Sequence, residues 1–425
     1  MAGSSVESGG SGATLVPRHM RAGVLEALAD TRVVVILGAR QVGKSTLVAQ
    51  IAAGDPRRSV ITLDDEARRR GALEDPTGFV ADLRTPVAID EVQRAPGLLL
   101  AIKQSVDADR RPGRYLLTGS ANILTAPTIA DALTGRAEYL RLWPFSQAEL
   151  HGEPPSLIDA LFAGEPPRIE DAEGGRRAHA EMLVAGGFPE ARRRAPARRA
   201  AFFDSYLATV LERDLRSIAR VHDRANVGRL LLAIAAGTGT PLNLTGLSRD
   251  LGIAANTVRA HVDLLETLFL VTRLPAWHAN LRSRLIKAPK AHIIDSGLLA
   301  HLLGAGAERA REDGWTAGAL TETFAVMEVM RQASAHPDPP RMFHMRDRAG
   351  REVDLVLERR DGGIVGIEVK AAATAARHDF GGLRVLRDHL GSHFAFGALL
   401  YTGRATVPFG DRLAALPLQG LWSGS

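Results

Sequence analysis

Short apolar runs and helical stretches alternate through the first third of the chain. The runs occupy residues 33–37, 60–63, 87–89, 115–117 and 138–142. Runs that stay apolar at consecutive positions are typical of parallel strands buried on both faces. Helical sequence at residues 21–29 and from Lys44 onward completes the pattern. We therefore predict a three-layer α/β domain that ends near residue 150.

The pattern changes after residue 150. Between residues 151 and 235 the strand-like runs disappear, and segments such as 202–218 carry Ala, Leu and Arg at helical spacing. This spacing predicts a helical lid or linker.

A second helical signature follows. Residues 244–253 and 254–269 predict two short helices hinged at Gly252, and residues 270–274 and 291–294 are strand candidates. Two hinged helices followed by a strand pair are typical of a winged helix-turn-helix. We place His261 on the polar face of the second helix.

The last segment returns to strands. The predicted order is a helix at 317–332, strands at 341–346, 352–358 and 364–370, a helix at 380–390 and a strand at 394–402. Helix, three strands, helix, strand is the order of the core of restriction-endonuclease-like folds.

Composition narrows the class of protein. Lys and Arg number 53 and Asp and Glu 48, so the formal charge is only +5. Hydrophobic residues at 45% and charged residues at 24% are average for soluble globular proteins. The absence of cysteine excludes disulfides, thiolate metal sites and cysteine nucleophiles. No run approaches the roughly 18 apolar residues of a membrane span, and no leader opens the chain. We expect a cytoplasmic protein without a membrane partner.

The first motif follows the first apolar run directly. It reads Gly38, Ala39, Arg40, Gln41, Val42, Gly43, Lys44, Ser45 and Thr46, which matches the phosphate loop that binds ATP. Backbone N–H groups at a helix N-terminus favour an anion. Lys44 is predicted to contact the β- and γ-phosphates, and Ser45 to hold Mg²⁺.

Two acids end the third apolar run. Asp90 is predicted to lie beside the metal and Glu91 to polarise the attacking water, which favours hydrolysis over binding alone. The next run ends in small polar residues, and Ser120 or Asn122 is a candidate sensor of the γ-phosphate. Arg136 is a candidate arginine finger on the nucleotide of a neighbouring subunit, which predicts a homo-oligomer.

These segments resemble a known family. Residues 38–46, 87–93, 116–122 and 135–145 are similar to predicted prokaryotic ATPases of the AAA+ superfamily that carry a C-terminal domain of unknown function. Gly186-Gly187-Phe188-Pro189-Glu190 and residues 290–298 resemble the later motifs of that family. The resemblance implies an ATPase core, a helical and winged-helix middle, and a nuclease-like end.

The regions follow from pattern and resemblance together. We predict a flexible Gly/Ser-rich tail over residues 1–20, an AAA+-like P-loop core over 21–150, a helical lid or linker over 151–235, a winged helix-turn-helix over 236–305, and a restriction-endonuclease-like domain over 306–425.

The C-terminal strands carry a second set of acids. Asp354 precedes a Gly-Gly turn, the next strand delivers Glu368 and Lys370, and Glu322 lies on the preceding helix. Alternation puts Glu368 and Lys370 on one face, and hairpin pairing can bring Asp354 beside them. Two carboxylates suit Mg²⁺, and Lys370 could help to activate water. The alternative is a surface hairpin with solvated charges.

Basic residues predict DNA as a partner. Residues 176–199 carry seven arginines against two glutamates, and Arg192, Arg193 and Arg194 are adjacent. The second hinged helix begins with Asn256, Thr257 and Arg259, the residue types that contact bases and phosphates. A solvated surface is the alternative for both.

We interpret the sequence as a Mg²⁺-dependent ATPase that couples ATP binding and hydrolysis to the binding or remodelling of duplex or branched DNA. Two alternatives stay open. One is a nucleotide-switched regulator or scaffold that binds protein partners, and the other is an ATP-gated, Mg²⁺-dependent DNA nuclease.

Overall fold

The computed structural model describes residues 15–120, 133–215, 224–280, 282, 284, 287–347 and 349–423. Within these ranges, no helix combines the length and the apolar character that crossing a membrane requires.

A five-stranded parallel sheet forms the amino-terminal domain. The strands are β1 (Val33–Leu37), β2 (Ser59–Thr62), β3 (Val87–Asp90), β4 (Tyr115–Gly119) and β5 (Ala137–Arg141), in the order β2-β3-β4-β1-β5. Every residue of β1, β3 and β4 is buried, which explains the apolar runs at residues 33–37, 87–89 and 115–117. The predicted α/β core is thus confirmed, and each predicted strand begins within one residue of its observed start.

The helices of this domain are α1 (Met20–Asp30), α2 (Lys44–Ala53), α3 (Glu66–Glu74), α4 (Pro76–Ala81) and α5 (Leu98–Ala108), with a short 3₁₀ turn at Val92–Arg94. Arg18 and Met20, at the end of the region predicted as a tail over residues 1–20, are buried. Arg18 is buried, because its guanidinium donates to the carbonyls of Val42 and Trp143 and pairs with Glu149.

Helices dominate the middle of the chain. They are α6 (Gln147–His151), α7 (Leu157–Ala163), α8 (Arg176–Ala185), α9 (Pro189–Arg192), α10 (Pro196–Thr209), which continues as a π-helical turn at Val210–Asp214, and α11 (Arg224–Ala236). Part of the region predicted as a lid or linker contacts the C-terminal sheet. Helix α7 packs on the C-terminal sheet, and the Ala172 N–H donates to the Arg404 carbonyl at 2.7 Å.

The next elements are α12 (Leu244–Leu251), α13 (Ala255–Thr267), β6 (Val271–Leu274), β7 (Lys290–Ile293), α14 (Ser296–Leu302) and α15 (Ala307–Glu312). Strands β6 and β7 pair antiparallel. Gly252, at φ +70°, ends α12 in the left-handed conformation that glycine favours, and this turn forms the predicted hinge. His261 is buried, so its predicted place on the polar face of α13 is wrong.

A mixed sheet ends the chain. Helix α16 (Gly314–Ser334) precedes β8 (Arg341–Arg346), β9 (Glu352–Glu358), β10 (Ile364–Lys370), α17 (Gly381–Leu390), β11 (Phe394–Tyr401), β12 (Val407–Pro408) and β13 (Leu413–Pro417), with 3₁₀ turns at Arg377–Phe380, Gly391–His393 and Leu418–Leu421. The order is β12-β13-β11-β10-β9-β8. The helices and strands predicted from residue 317 onward are found, whereas β12 and β13 were not predicted.

Candidate functional site

The phosphate loop lies between the end of β1 and the start of α2. Gly38 is required there, because a side chain would place its Cβ 2.2 Å from the Leu142 carbonyl oxygen. Gly43, at φ +98°, holds the left-handed conformation that opens α2. The two glycines let the loop turn tightly and present its backbone at a helix N-terminus.

Lys44 is folded back onto its own loop. Its ammonium donates to the carbonyls of Gly38 at 2.9 Å and Ala39 at 2.8 Å. Burial lowers the pKa of Lys44 to about 8, and the nearby Glu91 and Asp90 carboxylates oppose that shift. The cation that is expected to contact phosphate is therefore already desolvated and held at the loop.

Ser45 and Asp90 form the predicted metal pair. The Ser45 hydroxyl donates to Asp90 Oδ2 at 2.8 Å. The Thr118 hydroxyl, from the end of β4, donates to the other Asp90 oxygen. The Glu91 N–H in turn donates to Thr118 Oγ1 at 3.0 Å. Thr118 thus fixes the carboxylate of Asp90 and the backbone of Glu91 at once.

Glu91 lies in the left-handed region at φ +60°, which is uncommon for a residue with a side chain. Its carboxylate accepts a hydrogen bond from the Gln93 amide, and that amide also donates to the Ser120 hydroxyl at 2.8 Å. Ser120 therefore lies beside Glu91, at the edge of the sheet where a sensor of the γ-phosphate is expected. Asn122, the other candidate, lies outside the described residues.

A cavity of about 620 Å³ opens in front of these groups. The phosphate loop and Glu91 form one side, and Pro189, Glu190 and Arg194 with residues of α10 form the other. The segment 186–190, which the sequence analysis assigned only to a family motif, therefore borders the candidate nucleotide site. Arg194 also lies over the Phe202 ring, 4.9 Å from its centroid.

The two arginines that the sequence places among the candidate site residues, Arg40 and Arg136, both have carboxylate partners. Arg40, inside the phosphate loop, forms a bidentate pair with Asp214 at the end of the π-helical turn. Arg136 pairs with Asp107, and its carbonyl accepts from the Val33 N–H at the start of β1. Arg136 therefore lies at the edge of the sheet opposite the phosphate loop, and its action on a neighbouring subunit stays a prediction.

The donor set fits Mg²⁺ and ATP. A serine hydroxyl and an aspartate carboxylate lie within hydrogen-bond distance of each other, which suits a cation that prefers oxygen ligands. A buried lysine and a glycine-bearing loop at a helix N-terminus suit phosphates. Ser45 and Asp90 would hold the metal, and residues 38–46 would hold the nucleotide.

The C-terminal acids are brought together differently from the prediction. Strands β9 and β10 pair antiparallel, as expected, and Lys370 donates to Glu368 at 2.8 Å. The Lys290 ammonium, however, bonds Asp354 at 2.8 Å and Glu322 at 3.0 Å. In the part of the chain that the structure describes, no group of three or more Asp, Glu or His side chains is arranged to hold a metal.

The candidate DNA contacts divide into two groups. Asn256, Thr257 and Arg259 are all exposed at the start of α13. In the basic strip, Arg192 donates to the Gly186 carbonyl at 2.8 Å and burial lowers its pKa. Arg193 and Arg194 each lie 3.7 Å from Glu190. Only part of the strip therefore presents free positive charge.

A buried polar network joins the two halves of the chain, and the sequence analysis missed it. Asp295 Oδ2 accepts from the Gly187 N–H at 2.6 Å and from Arg331 at 3.0 Å. Arg331 also donates to the Phe145 carbonyl at 3.0 Å. Asp295, Arg331 and Glu328, which lies 3.8 Å from Arg331, are called the Asp295 junction below. Gly186 borders it at φ +63°, where a Cβ would lie 2.1 Å from Asp295 Oδ1.

Comparison with known families agrees with this organisation. Residues 30–151 match the AAA domain family, residues 176–309 match a domain of unknown function, DUF8612, and residues 317–421 match another, DUF4143. With the buried parallel sheet and the phosphate loop, the first match defines an AAA-type P-loop ATPase domain. Neither of the other descriptions names a winged helix or a nuclease, so both stay predictions.

Two relatives match most of the length of the chain. The chain is 29% identical over 415 residues to two uncharacterized proteins, Rv2008c of Mycobacterium tuberculosis and Mb2031c of Mycobacterium bovis, and the match covers 96% of this chain and 85% of each relative. Among solved structures, the Walker-type ATPase PABY2304 of Pyrococcus abyssi is 17% identical, with a TM-score of 0.44, over 68% of this chain and 96% of that one.

Proposed function

We propose that the chain is a Mg²⁺-dependent ATPase that couples ATP binding and hydrolysis to the binding or remodelling of DNA. One arrangement supports the enzymatic part. Lys44 and Ser45 come from the start of α2, and Asp90 and Glu91 from the end of β3. Lys44, Ser45 and Glu91 line one cavity, and Asp90 accepts a hydrogen bond from Ser45. The carboxyl edge of a parallel sheet is where nucleotide sites form.

Each side chain then has a defined task in hydrolysis. The Lys44 ammonium would leave the carbonyls of Gly38 and Ala39 for phosphate oxygens, where its charge offsets the charge that develops on the transferred group. Glu91 would orient the attacking water. Bound Mg²⁺ supplies electrostatic stabilisation of the phosphates, and Ser45 with Asp90 would be its protein ligands.

The Asp295 junction gives a route by which nucleotide affects the C-terminal half. Pro189 and Glu190 line the cavity, and Gly187, two residues earlier, donates to Asp295. Asp295 in turn pairs with Arg331 on α16, the long helix of the C-terminal domain. A shift of α9 on nucleotide binding would therefore act on a buried charge that belongs to the other half of the protein.

The DNA part is supported by the exposed Asn256, Thr257 and Arg259 at the start of α13 and by Arg193. These side chains suit contacts with phosphates and base edges. We do not propose phosphodiester cleavage, because a lysine ammonium, and not a set of free carboxylates, fills the acidic pocket of the C-terminal domain. The proposal that the protein forms a homo-oligomer rests only on the predicted action of Arg136 on the nucleotide of a neighbouring subunit.

The test measures binding to linear duplex, single-stranded and four-way DNA by fluorescence anisotropy, with and without Mg-ATP, alongside ATP turnover. We expect nucleotide-dependent affinity for at least one DNA and stimulation of turnover by that DNA. Lys44→Ala should abolish turnover, whereas Lys103→Ala, a lysine on α5, should not. Full turnover by Lys44→Ala would refute the site. Turnover that no DNA changes would favour a nucleotide-switched regulator of protein partners.

A further inference from the structure

The acidic pocket of the C-terminal domain already contains a cation, and that cation is part of the chain. Lys290 on β7 is 1% exposed. Its Nζ lies 2.8 Å from Asp354 Oδ1, 3.0 Å from Glu322 Oε1 and 3.7 Å from Glu352 Oε2. These carboxylates come from β9 and α16, so the lysine and its partners belong to different regions of the chain.

The remaining oxygens of the pocket are also largely engaged. Asp354 Oδ2 accepts from the Val369 N–H at 3.0 Å, and Glu368 Oε1 accepts from Lys370 at 2.8 Å. Glu368 Oε2 is buried and has no hydrogen-bond partner among the residues that the structure describes. A divalent cation needs several oxygens at about 2.0–2.6 Å, so it would have to displace the Lys290 ammonium from two of its three carboxylates.

Electrostatics favour the lysine over a metal. An ammonium and a divalent cation within the same small buried pocket repel each other strongly, because little water is present to screen them. Lys290 cannot leave the pocket easily either. It is fixed by its place on β7, whose residues pair with β6 from Val271 to Leu274. The displaced ammonium would remain buried without a partner, which is costly.

We infer that Lys290 supplies the positive charge that a divalent metal supplies in carboxylate-based phosphodiesterase sites, so that the pocket binds no divalent metal until this lysine is removed. The carboxylates Asp354, Glu322 and Glu368 are then a latent metal site, closed by a neighbouring segment. This inference does not depend on whether the ATPase acts on DNA. It explains why the predicted acids lie together although, among the residues that the structure describes, no group of three is arranged to bind a metal.

The experiment titrates Mn²⁺ into the nucleotide-free full-length chain and follows the loss of the free-ion EPR signal. Every protein carries Asp90→Asn, which removes the metal ligand of the ATP site. With Lys290 present we expect no saturable Mn²⁺ binding at millimolar concentrations. Lys290→Met should create binding of a single Mn²⁺ per chain, and the further change Asp354→Asn should abolish it.

Lys287→Met is the matched control, because Lys287 is exposed and lies three residues away in the same segment. It should bind no more Mn²⁺ than the parent. Saturable binding in the presence of Lys290 that Asp354→Asn removes would overturn the inference, and this comparison needs no Lys290 variant to fold. The inference would also be overturned if the Lys290→Met protein gave a normal circular dichroism melt but bound no more Mn²⁺ than the parent.

Discussion

Glu328, on helix α16 of the C-terminal domain, accepts hydrogen bonds at 2.9 Å on both carboxylate oxygens from the backbone N–H of Gln147. Gln147 is the first residue of α6, at the end of the AAA-type domain. The Glu328 carboxylate therefore accepts hydrogen bonds from the N-terminus of a helix that belongs to another domain. Its side chain is fully buried. The ATPase domain and the C-terminal domain are thus joined by polar contacts that water does not reach.

Removing this carboxylate should destabilise the protein. Glu328→Ala leaves the N–H groups of Gln147 and Ala148 without their acceptor and leaves the Arg331 charge short of a partner. Because two buried N–H groups lose their acceptor and Arg331 keeps only Asp295 of its two carboxylate partners, we expect the free energy of unfolding to fall by about 3 kcal/mol. The measurement is the thermal melting temperature of the full chain by calorimetry.

Glu181→Ala is the control, since Glu181 pairs with Arg177 on the exposed surface of α8. Its effect should stay within about 0.5 kcal/mol. Equal melting temperatures for Glu328→Ala and Glu181→Ala would contradict the energetic role assigned to the contact with Gln147.

Thr118→Val should slow hydrolysis with little effect on nucleotide affinity. Valine keeps the shape of threonine but removes the hydroxyl that donates to Asp90 and accepts from the Glu91 N–H. Loss of a group that orients a ligand or catalytic residue typically costs about 10- to 100-fold in activity. Steady-state kcat and the Kd of a fluorescent ATP analogue would separate the two effects.

Thr31→Val is the control, because it makes the same change at a different hydroxyl. In the part of the chain that the structure describes, the Thr31 hydroxyl donates to the exposed Asp30. Thr31→Val should leave kcat at its normal value. A Thr118→Val enzyme with unchanged kcat would show that Asp90 and Glu91 hold their positions without this hydroxyl.

The affinity for ATP should fall as the pH rises through 8. Burial lowers the pKa of Lys44 to about 8 in the nucleotide-free protein, so its ammonium loses its proton above that pH. If only the charged lysine binds phosphate, the apparent Kd for ATP rises about tenfold between pH 7 and pH 9. Equilibrium titration with a fluorescent analogue across this range checks the prediction.

The same shift has the opposite effect on stability. The folded pKa of Lys44 lies below the ordinary value of 10.5, so the unfolded chain binds more protons between pH 8 and pH 10.5. The contribution of Lys44 to the free energy of unfolding therefore rises with pH in this window. Lys44→Met should remove both trends. A flat ATP affinity in the parent protein would rule out the proposed role of this proton.

Arg259 should contribute to the salt dependence of DNA binding. Its side chain is exposed at the start of α13, and an arginine that contacts one phosphate adds about 1 to the slope of log K against log salt. Arg259→Ala should reduce the slope by about that amount, as measured by anisotropy at several salt concentrations. Arg57→Ala, an exposed arginine of the ATPase domain, should leave it unchanged. Identical slopes for the two variants would argue against DNA contact by α13.

The ATP site could be predicted because its parts are local in sequence. Residues 38–46 are contiguous, and Asp90 and Glu91 end an apolar strand, so parallel pairing alone brings them to one edge. Thr118 was missed, although a polar residue near the end of the otherwise apolar β4 was a usable signal. Its role depends on β4 lying next to β3, and strand order cannot be taken from one strand's sequence.

Lys290 shows where sequence reasoning stopped. Only five lysines occur among 53 basic residues. Lys44 lies in the candidate ATP site, and Lys290 and Lys370 lie in the acidic pocket of the C-terminal domain. Lys370 could be predicted because it follows Glu368 by two residues, whereas Lys290 approaches Asp354 from 64 residues away along the chain. The predicted carboxylates were found, but their partner lies at the start of residues 290–298, where the resemblance to a family motif does not indicate a contact with Asp354.

The carboxylate of Asp295 joins chain segments 108 residues apart, at Gly187, and is neutralised by Arg331 from a third segment. A fragment that stops before α16 would keep this buried acid and lose its counter-charge. A fragment that starts at α16 would carry Arg331 without Asp295, and only Glu328, 3.8 Å away, would remain beside it. The two family regions that meet at this carboxylate, residues 176–309 and 317–421, should therefore each be less stable when expressed apart from the other.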